Sequence, residues 1–425
     1  MTKHVAIIGA GVSGLSAAIH LDRLAGENTQ ITIFDARRQA GGRTRSYIDR
    51  ETQDTLDNGQ HLLMGCYRDT LEYCGLIGTA DQIDWQETME IPFFTGPGES
   101  HSLRLAKLPS PFHLLYGLIS TGLLSFSEKL AALRFGQALK SKRSFEGMTC
   151  AQLMAETRQP ASLVTKLWEP MVLAVLNASV EQASASAFVE AFRLIYFGKR
   201  QDASLIFPKV GLSELLIDPA VEQLEARGHA LRLGQPISKI SAGLVVSTLI
   251  DDEEFDAVIL AATVGPDISI PIALPTIEYS PILNAYFWLD KQVLDFPVTA
   301  FIGRDLQWAF TRPTGFGGQR LALTVSAAGS LIEKSNQELT ELLWSDLQAL
   351  VPAARSAKLL KSQIIKEKRA TPLFTPEADA ARPTVETAIT GLYLAGDIVQ
   401  NGLPATIEGA IRNGKRAAEM VASLP

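Results

Sequence analysis

Two short stretches, Val5-Ala-Ile-Ile-Gly9-Ala-Gly11-Val-Ser-Gly14 and Ile31-Thr-Ile-Phe-Asp35, restrict how this chain can begin to fold. An apolar run breaks at glycines, opens an apolar-faced helix, and is followed by a second apolar run that ends on an acid. Strand, turn, helix and strand in that order are the context a dinucleotide-binding fingerprint requires. Gly9 permits the tight turn, Gly11 lets a pyrophosphate approach the backbone without meeting a Cβ atom, and Gly14 lets helix and strand pack closely. The phosphates would lie against the helix N-terminus, where free N–H groups and the helix dipole favour an anion. Asp35 can accept hydrogen bonds from both ribose hydroxyls and would repel a 2′-phosphate. The competing reading is a glycine-rich turn that binds nothing, and the register of all these parts argues against it.

At 425 residues the chain is long for one compact core, which points to two interleaved domains. A net charge of −7 argues against nucleic acid as a partner. The N-terminus reads directly into a strand with no secretory pattern, and no run of eighteen apolar residues appears. The expected location is therefore cytoplasmic. Cys66, Cys74 and Cys150 form no CxxC and no Cys/His spacing, so no metal site is expected, and the sparse set fits a reducing compartment.

Apolar positions recur at helical spacing within 105–200, through Ser127–Phe135 and Leu163–Trp168. Strand patterns return at Leu231–Ile240, Leu244–Leu249, Phe255–Ala262 and Ile282–Leu289. A helix is expected near Asn336–Leu350 and another over Ala405–Val421. No internal repeat or low-complexity segment is present.

The segment Asp35-Ala36-Arg37-Arg38-Gln-Ala-Gly41-Gly42-Arg43-Thr resembles the glycine–arginine segment of the amine oxidase and phytoene desaturase flavoprotein superfamily. Gly391-Leu-Tyr-Leu-Ala-Gly396-Asp397, running on to Thr406-Ile407-Glu-Gly-Ala, resembles its second flavin motif. The resemblance implies FAD rather than NAD, and an α/β fold: a Rossmann-type FAD-binding domain (1–70, 201–262 and 376–425) interleaved with a mixed α+β substrate domain (71–200 and 263–375). It places cofactor contacts at Gly9, Gly11, Gly14, Asp35, Ala36, Arg37, Gly42, Arg43, Gly59, His61, Ile237, Gly396, Asp397, Thr406 and Ile407. Monoamine oxidases of the superfamily tether flavin through a cysteine near the second motif. No cysteine lies beyond position 150 here, so FAD is expected to be non-covalent.

Leu56-Asp57-Asn58-Gly59-Gln60-His61-Leu-Leu-Met64-Gly65-Cys66-Tyr67, Trp168-Glu169-Pro170, Phe207-Pro208-Lys-Val-Gly-Leu-Ser213 and Asn401-Gly402-Leu403-Pro404-Ala405-Thr406 narrow the likeness. Together they resemble the squalene-associated FAD-dependent desaturase-like family, the hydroxysqualene dehydroxylases of bacterial hopanoid pathways. Met64-Gly65-Cys66 and Pro208-Lys-Val-Gly depart from that pattern. The resemblance implies reductive loss of the allylic hydroxyl of hydroxysqualene as water, with a hydride from N5 of reduced flavin giving squalene. It also implies an electron donor, which the sequence does not identify. Candidate proton donors are His61, which titrates near neutral pH, and Glu169, whose carboxyl could carry a raised pKa if buried. Flavin packing and a solvated helix end are the competing roles of these two, and water could serve instead.

A carotenoid-type desaturase is the nearest rival. An amine oxidase fits less well, because the second of the two aromatics that flank the flavin in those enzymes falls at Thr406. A flavoprotein scaffold or lipid carrier is the non-enzymatic rival. Pro111–Phe126 is apolar but too short to span a bilayer. It either packs in the core or makes peripheral contact with the inner face of the cytoplasmic membrane. On the second reading Leu114, Leu115 and Leu118, with Phe112 nearby, form the lipid-facing side.

Overall fold

The structure, a computed structural model, describes residues 2–140, 143–265 and 268–425. Its organising element is a five-stranded parallel sheet. The spatial order is Ala230–Leu233, Thr29–Asp35, Lys3–Ile8, Ala257–Leu260 and Leu392–Leu394. Val5–Ile8 and Ala257–Leu260 are buried without alternation, as expected of strands covered on both faces. Helix Val12–Ala25 follows the first strand and packs on helix Ile407–Ala422. That contact needs a glycine: a Cβ on Gly414 would lie 2.2 Å from the Ser13 carbonyl oxygen. The Ser16 hydroxyl donates to the Ile411 carbonyl at 2.9 Å across the same seam.

A second, seven-stranded sheet runs in the order Leu359–Pro372, Tyr279–Leu289, Gln319–Val325, Trp308–Arg312, Val298–Phe301, Glu90–Gly96 and Glu99–Arg104. Every pairing is antiparallel except Val298–Phe301 with Glu90–Gly96. One face carries Leu283, Ala285 and Phe287 against Leu339, Leu343 and Leu347 of helix Asn336–Leu350. The other carries Tyr286, Trp288 and Phe310, which join Phe135, Trp168, Phe188 and Phe192 of the helical segment in one core. The strand period of two thus sends alternate residues into two different cores.

Helix Asn336–Leu350 forms as the periodicity predicts, closed by a capping box between Ser335 and Glu338. Two expectations shift. The last helix begins at Ile407, because Thr406 turns out of the helix and caps it. The Leu163–Trp168 run is not regular α-helix: Val164–Trp168 winds as a wide π turn that leads into helix Glu169–Leu176. Such turns insert an extra residue and re-aim the side chains after them.

Candidate flavin site

The glycine turn is shaped by contacts a side chain would break. Gly9 has φ +111° and a Cβ on it would meet the Ala261 carbonyl oxygen at 2.9 Å; on Gly14 it would meet the Gly9 carbonyl oxygen at 1.9 Å. Gly11 differs, since a Cβ there meets nothing within 4 Å. The space over Gly11 is therefore not used by the protein's own packing. It lies at the start of helix Val12–Ala25, where no side chain caps the first N–H groups. This is the cradle a pyrophosphate fits.

Asp35 reaches back to this turn. Its Oδ2 accepts the Ala10 N–H at 2.8 Å and its Oδ1 accepts the Arg37 N–H at 2.8 Å. Each oxygen keeps a further lone pair for a ribose hydroxyl. Ala36 and Arg37 are exposed beside it, and Arg37 donates to the Gly42 carbonyl at 3.2 Å. Gln235 N–H donates to the Asp35 carbonyl at 2.9 Å, which brings the segment carrying buried Ile237 alongside. Gly42 lies over the turn, its Cβ position 3.5 Å from the Gly11 Cα.

The two ends of the chain meet at Arg43 and Asp397. Arg43 Nη2 donates to Asp397 Oδ1 at 2.8 Å, and Nη1 donates to the Ala370 carbonyl at 2.9 Å. Asp397 holds the Arg43 guanidinium firmly protonated. The Arg43 side chain remains 37% exposed although protein surrounds it, so it lines a hollow. Gly396, with φ +111°, has nothing within 4 Å of its Cβ position. Its backbone can therefore be approached closely by a ligand.

Arg382 and Asn413, which the sequence reading did not single out, hold the 396–403 loop. Arg382 donates to the carbonyls of Val399 and Leu403 at 2.8 and 2.7 Å and pairs with Asp379 at 3.3 Å. Asn413 donates to those of Gly396 and Val399 at 2.8 and 2.9 Å. Thr406 caps the last helix by accepting the Gly409 N–H at 3.1 Å, with Ile407 as its first residue. Glu408 does not serve that helix alone. Fully buried, it accepts the Thr70 N–H and hydroxyl at 2.9 and 2.7 Å and pairs with Arg412 at 3.0 Å. It thereby caps helix Arg68–Leu76.

The Asp57–His61 loop packs over the same region. Asp57 is structural: its Oδ1 accepts the Ser46 hydroxyl at 2.6 Å and the Leu212 N–H at 2.8 Å. Gly59 approaches Asn284, whose Nδ2 would lie 3.3 Å from a Cβ there. His61 Nδ1 lies 2.7 Å from the Gly59 carbonyl, which can only accept, so Nδ1 carries the proton. Burial pushes the His61 pKa down, and Arg43 adds to that. At neutral pH His61 is thus neutral, with Nε2 as an acceptor, and acting as a general acid would require protonation against this environment. Glu169 is not brought to His61. It lines a separate cleft of about 500 Å³ with Trp308, Arg304 and Asp346, whose walls contain none of the flavin-motif residues. Burial raises its pKa, with Glu181 adding to the shift.

The described residues contain no group of acids, histidines and cysteines arranged to hold a metal ion. The three cysteines are free and buried; burial pushes the Cys66 thiol up to about 12.

Residues 12–422 match the family of flavin-containing amine oxidoreductases. The chain belongs to that family. As a flavin-containing amine oxidoreductase relative it is an FAD-dependent oxidoreductase. It is 32% identical to a hydroxysqualene dehydroxylase of Sinorhizobium fredii, across 100% of this chain and 99% of that one. It is 33% identical to another from Rhodopseudomonas palustris, across 99% of each. A 15-cis-phytoene desaturase of Solanum lycopersicum is 25% identical over 98% of this chain and 77% of its own length. Cyclohexylamine oxidase from Brevibacterium oxydans shares the fold, with a TM-score of 0.72, 16% identity and 99% coverage of both chains. The family's α/β architecture, with its Rossmann-like parallel sheet, is the one expected from the sequence.

Expected lipid-facing residues require a correction. Helix Phe112–Ser120 forms, but Leu114 and Leu118 pack on the core. The exposed face is Phe112, Tyr116 and Ile119, continued by Leu108, Phe126 and Leu130. No helix among the described residues is long and apolar enough to cross a membrane.

Proposed function

We propose that this chain removes the allylic hydroxyl of hydroxysqualene and returns squalene, using non-covalently bound FAD. The observation that carries the reading is the full-length match, at 32 and 33%, to two hydroxysqualene dehydroxylases, against 25% for a phytoene desaturase. The loop Asp57–His61 leads into apolar side chains suited to a hydrocarbon: Leu62, Met64 and Phe207 are partly exposed and pack on one cluster. They bind the chain and exclude water. Gly9, Gly11 and Gly14 shape the pyrophosphate cradle, Asp35 takes the ribose, and Arg43 with Asp397 closes the site. When bound in reduced form, the flavin supplies a hydride. His61, as a fixed acceptor, orients what lies above it, and the proton that leaves with the hydroxyl comes from water. Thr406 stands where an amine oxidase would carry its second aromatic. The FAD-binding part is assigned to 1–70, 201–262 and 376–425.

Lipid contact belongs to the same reading, because the substrate partitions into bilayers. Leu108, Phe112, Tyr116, Ile119, Phe126 and Leu130 are exposed in a basic part of the chain. From Arg104 to Arg143 there are seven lysines and arginines (Arg104, Lys107, Lys129, Arg134, Lys140, Lys142, Arg143) and one acid, Glu128, in a protein of net charge −7. An apolar patch in a basic segment suits peripheral binding to an anionic cytoplasmic leaflet.

The deciding experiment is anaerobic. Chemically reduced enzyme mixed with hydroxysqualene should reoxidise as squalene accumulates in step, and acid precipitation should release all the FAD. Bleaching of oxidised enzyme by squalene or phytoene would replace this reading with a desaturase.

A further inference from the structure

Two arginines stand side by side on the seven-stranded sheet, and only one of them lies within ion-pair distance of a carboxylate among the described residues. Arg312 and Arg320 are register partners on adjacent antiparallel strands, so both guanidiniums rise from one face of the seven-stranded sheet. The same face carries Trp308 and Phe310, four and two residues before Arg312. Arg320 is buried; it donates to the Thr55 carbonyl at 2.9 Å, lies 3.7 Å from Asp54, and its Nε has no hydrogen-bond partner among the described residues. Arg312 Nε donates to Gln60 Oε1 at 2.9 Å and Nη1 to the Pro208 carbonyl at 3.3 Å. Among the described residues, no carboxylate lies within ion-pair distance of Arg312. Asp57, the nearby acid, has Oδ1 engaged by Ser46 and Leu212. Burial is the main influence on both guanidiniums and pushes their pKa values down. Asp57 acts on Arg312 as an opposite charge without pairing with it, and Arg312 retains N–H donors beyond the two bonds it makes to Gln60 and Pro208.

Gln60 connects this positive pole to the flavin loop. Its Oε1 accepts from Arg312, while its Nε2 donates to the His61 carbonyl at 3.3 Å, and the His61 ring feels the charge of Arg43. We propose that Arg312, fixed by Gln60 and backed by Arg320, binds the substrate's departing oxygen and so picks out the alcohol from hydrocarbon of the same length. This rests on the dehydroxylase reading above. As the C–O bond lengthens, its electron pair moves to oxygen and negative charge grows there. The guanidinium donates to that charge. The oxygen takes one proton from solvent water and leaves as water. The carbon would receive a hydride, two electrons, from a bound reduced flavin. Leu62, Met64 and Phe207 hold the hydrocarbon away from the cations.

The test uses oxidised holoenzyme, which binds without turnover, titrated with hydroxysqualene or squalene and followed by the flavin absorbance shift. Wild type should prefer the alcohol. Arg312→Met should lose ten- to hundredfold in affinity for hydroxysqualene, about the size of one charge-assisted hydrogen bond, and nothing for squalene. Arg312→Lys, which keeps the charge but not the fork, should lose part of the preference, as should Gln60→Leu. These two variants carry the test if Arg312→Met fails to hold FAD. A variant that holds FAD and keeps the wild-type preference overturns this proposal while leaving the dehydroxylase reading intact. A wild type that neither prefers nor reduces the alcohol overturns both.

Discussion

Asp35 looks from the sequence like a ribose ligand, and the structure gives it a second task. Its two oxygens hold the Ala10 and Arg37 N–H groups, so it fixes the glycine turn before any ligand arrives. Asp35→Ala should therefore do two things. FAD affinity should fall ten- to hundredfold, from about 1.5–3 kcal/mol of charge-assisted hydrogen bonding. The apo-protein should also melt earlier, because two backbone donors lose their acceptor at a cost of about 1 kcal/mol or more each. Flavin titration and thermal melts without FAD measure the two effects separately; an unchanged apo melt would rule out the second task. Gly14 was legible in the sequence because its constraint is local, a collision with the Gly9 carbonyl inside one strand–turn–helix unit, and Gly9 because the spacing of the turn marks it even though its collision is with distant Ala261. Arg382 and Asn413 were not, because their partners at 396–403 lie apart in sequence and an isolated polar residue does not announce which carbonyls it will meet.

Helix Phe112–Ser120 shows the limit of periodicity. Its sequence is apolar nearly all round, so the pattern alone does not choose which side turns inward. Tertiary packing chose Leu114 and Leu118, with Gly117 against Leu105, and left Phe112, Tyr116 and Ile119 outside. Lys129 Nζ donates to the Ile119 carbonyl at 2.6 Å and ties this helix to Phe126–Lys140, which adds Phe126, 77% exposed. Phe112→Ser with Phe126→Ser should weaken binding to phosphatidylglycerol-containing vesicles about tenfold or more, since each buried aromatic contributes about 1.5–3 kcal/mol. Melting temperature and flavin content should stay near wild type. Leu114→Ser should do the reverse, lowering the melting temperature by removing a core contact. Unchanged vesicle sedimentation by the double variant would eliminate the patch as the lipid contact. The parallel-sheet strands were easier to read than this helix, because burial on both faces leaves no side to choose.

At the scale of the whole molecule, acid is the direction of weakness. Burial lowers the pKa of His20, His61 and His113 from the ordinary 6.5. The unfolded chain then takes up more protons than the folded one as pH falls below about 6.5, and stability drops. Asp49 and Glu128 follow in the same sense: burial opposes their charge, but Lys361 and Thr52 around Asp49, and Ser162, Ser125 and Lys166 around Glu128, hold both near a pKa of about 2. Their contribution is complete above the ordinary 3.8 and 4.5 and is lost as pH falls towards about 2. Buried Glu408, raised by desolvation, works the other way and offsets part of this. Urea midpoints should be flat from pH 7 to 8, fall below about 6.5 and fall more steeply below about 4.5; midpoints that rise on acidification would contradict the assignment. The joining of Arg43 to Asp397 also sets an order of events during synthesis. The two residues are 354 positions apart. At ribosomal speeds of about 5–20 residues per second, roughly 20–70 s separate their polymerisation. The glycine turn is finished early, yet its partner acid, and helix Ile407–Ala422 that packs behind it, emerge long after it. Throughout that interval the face of helix Val12–Ala25 that helix Ile407–Ala422 will cover has no partner, so the first cofactor element waits, apolar side bare, for the last.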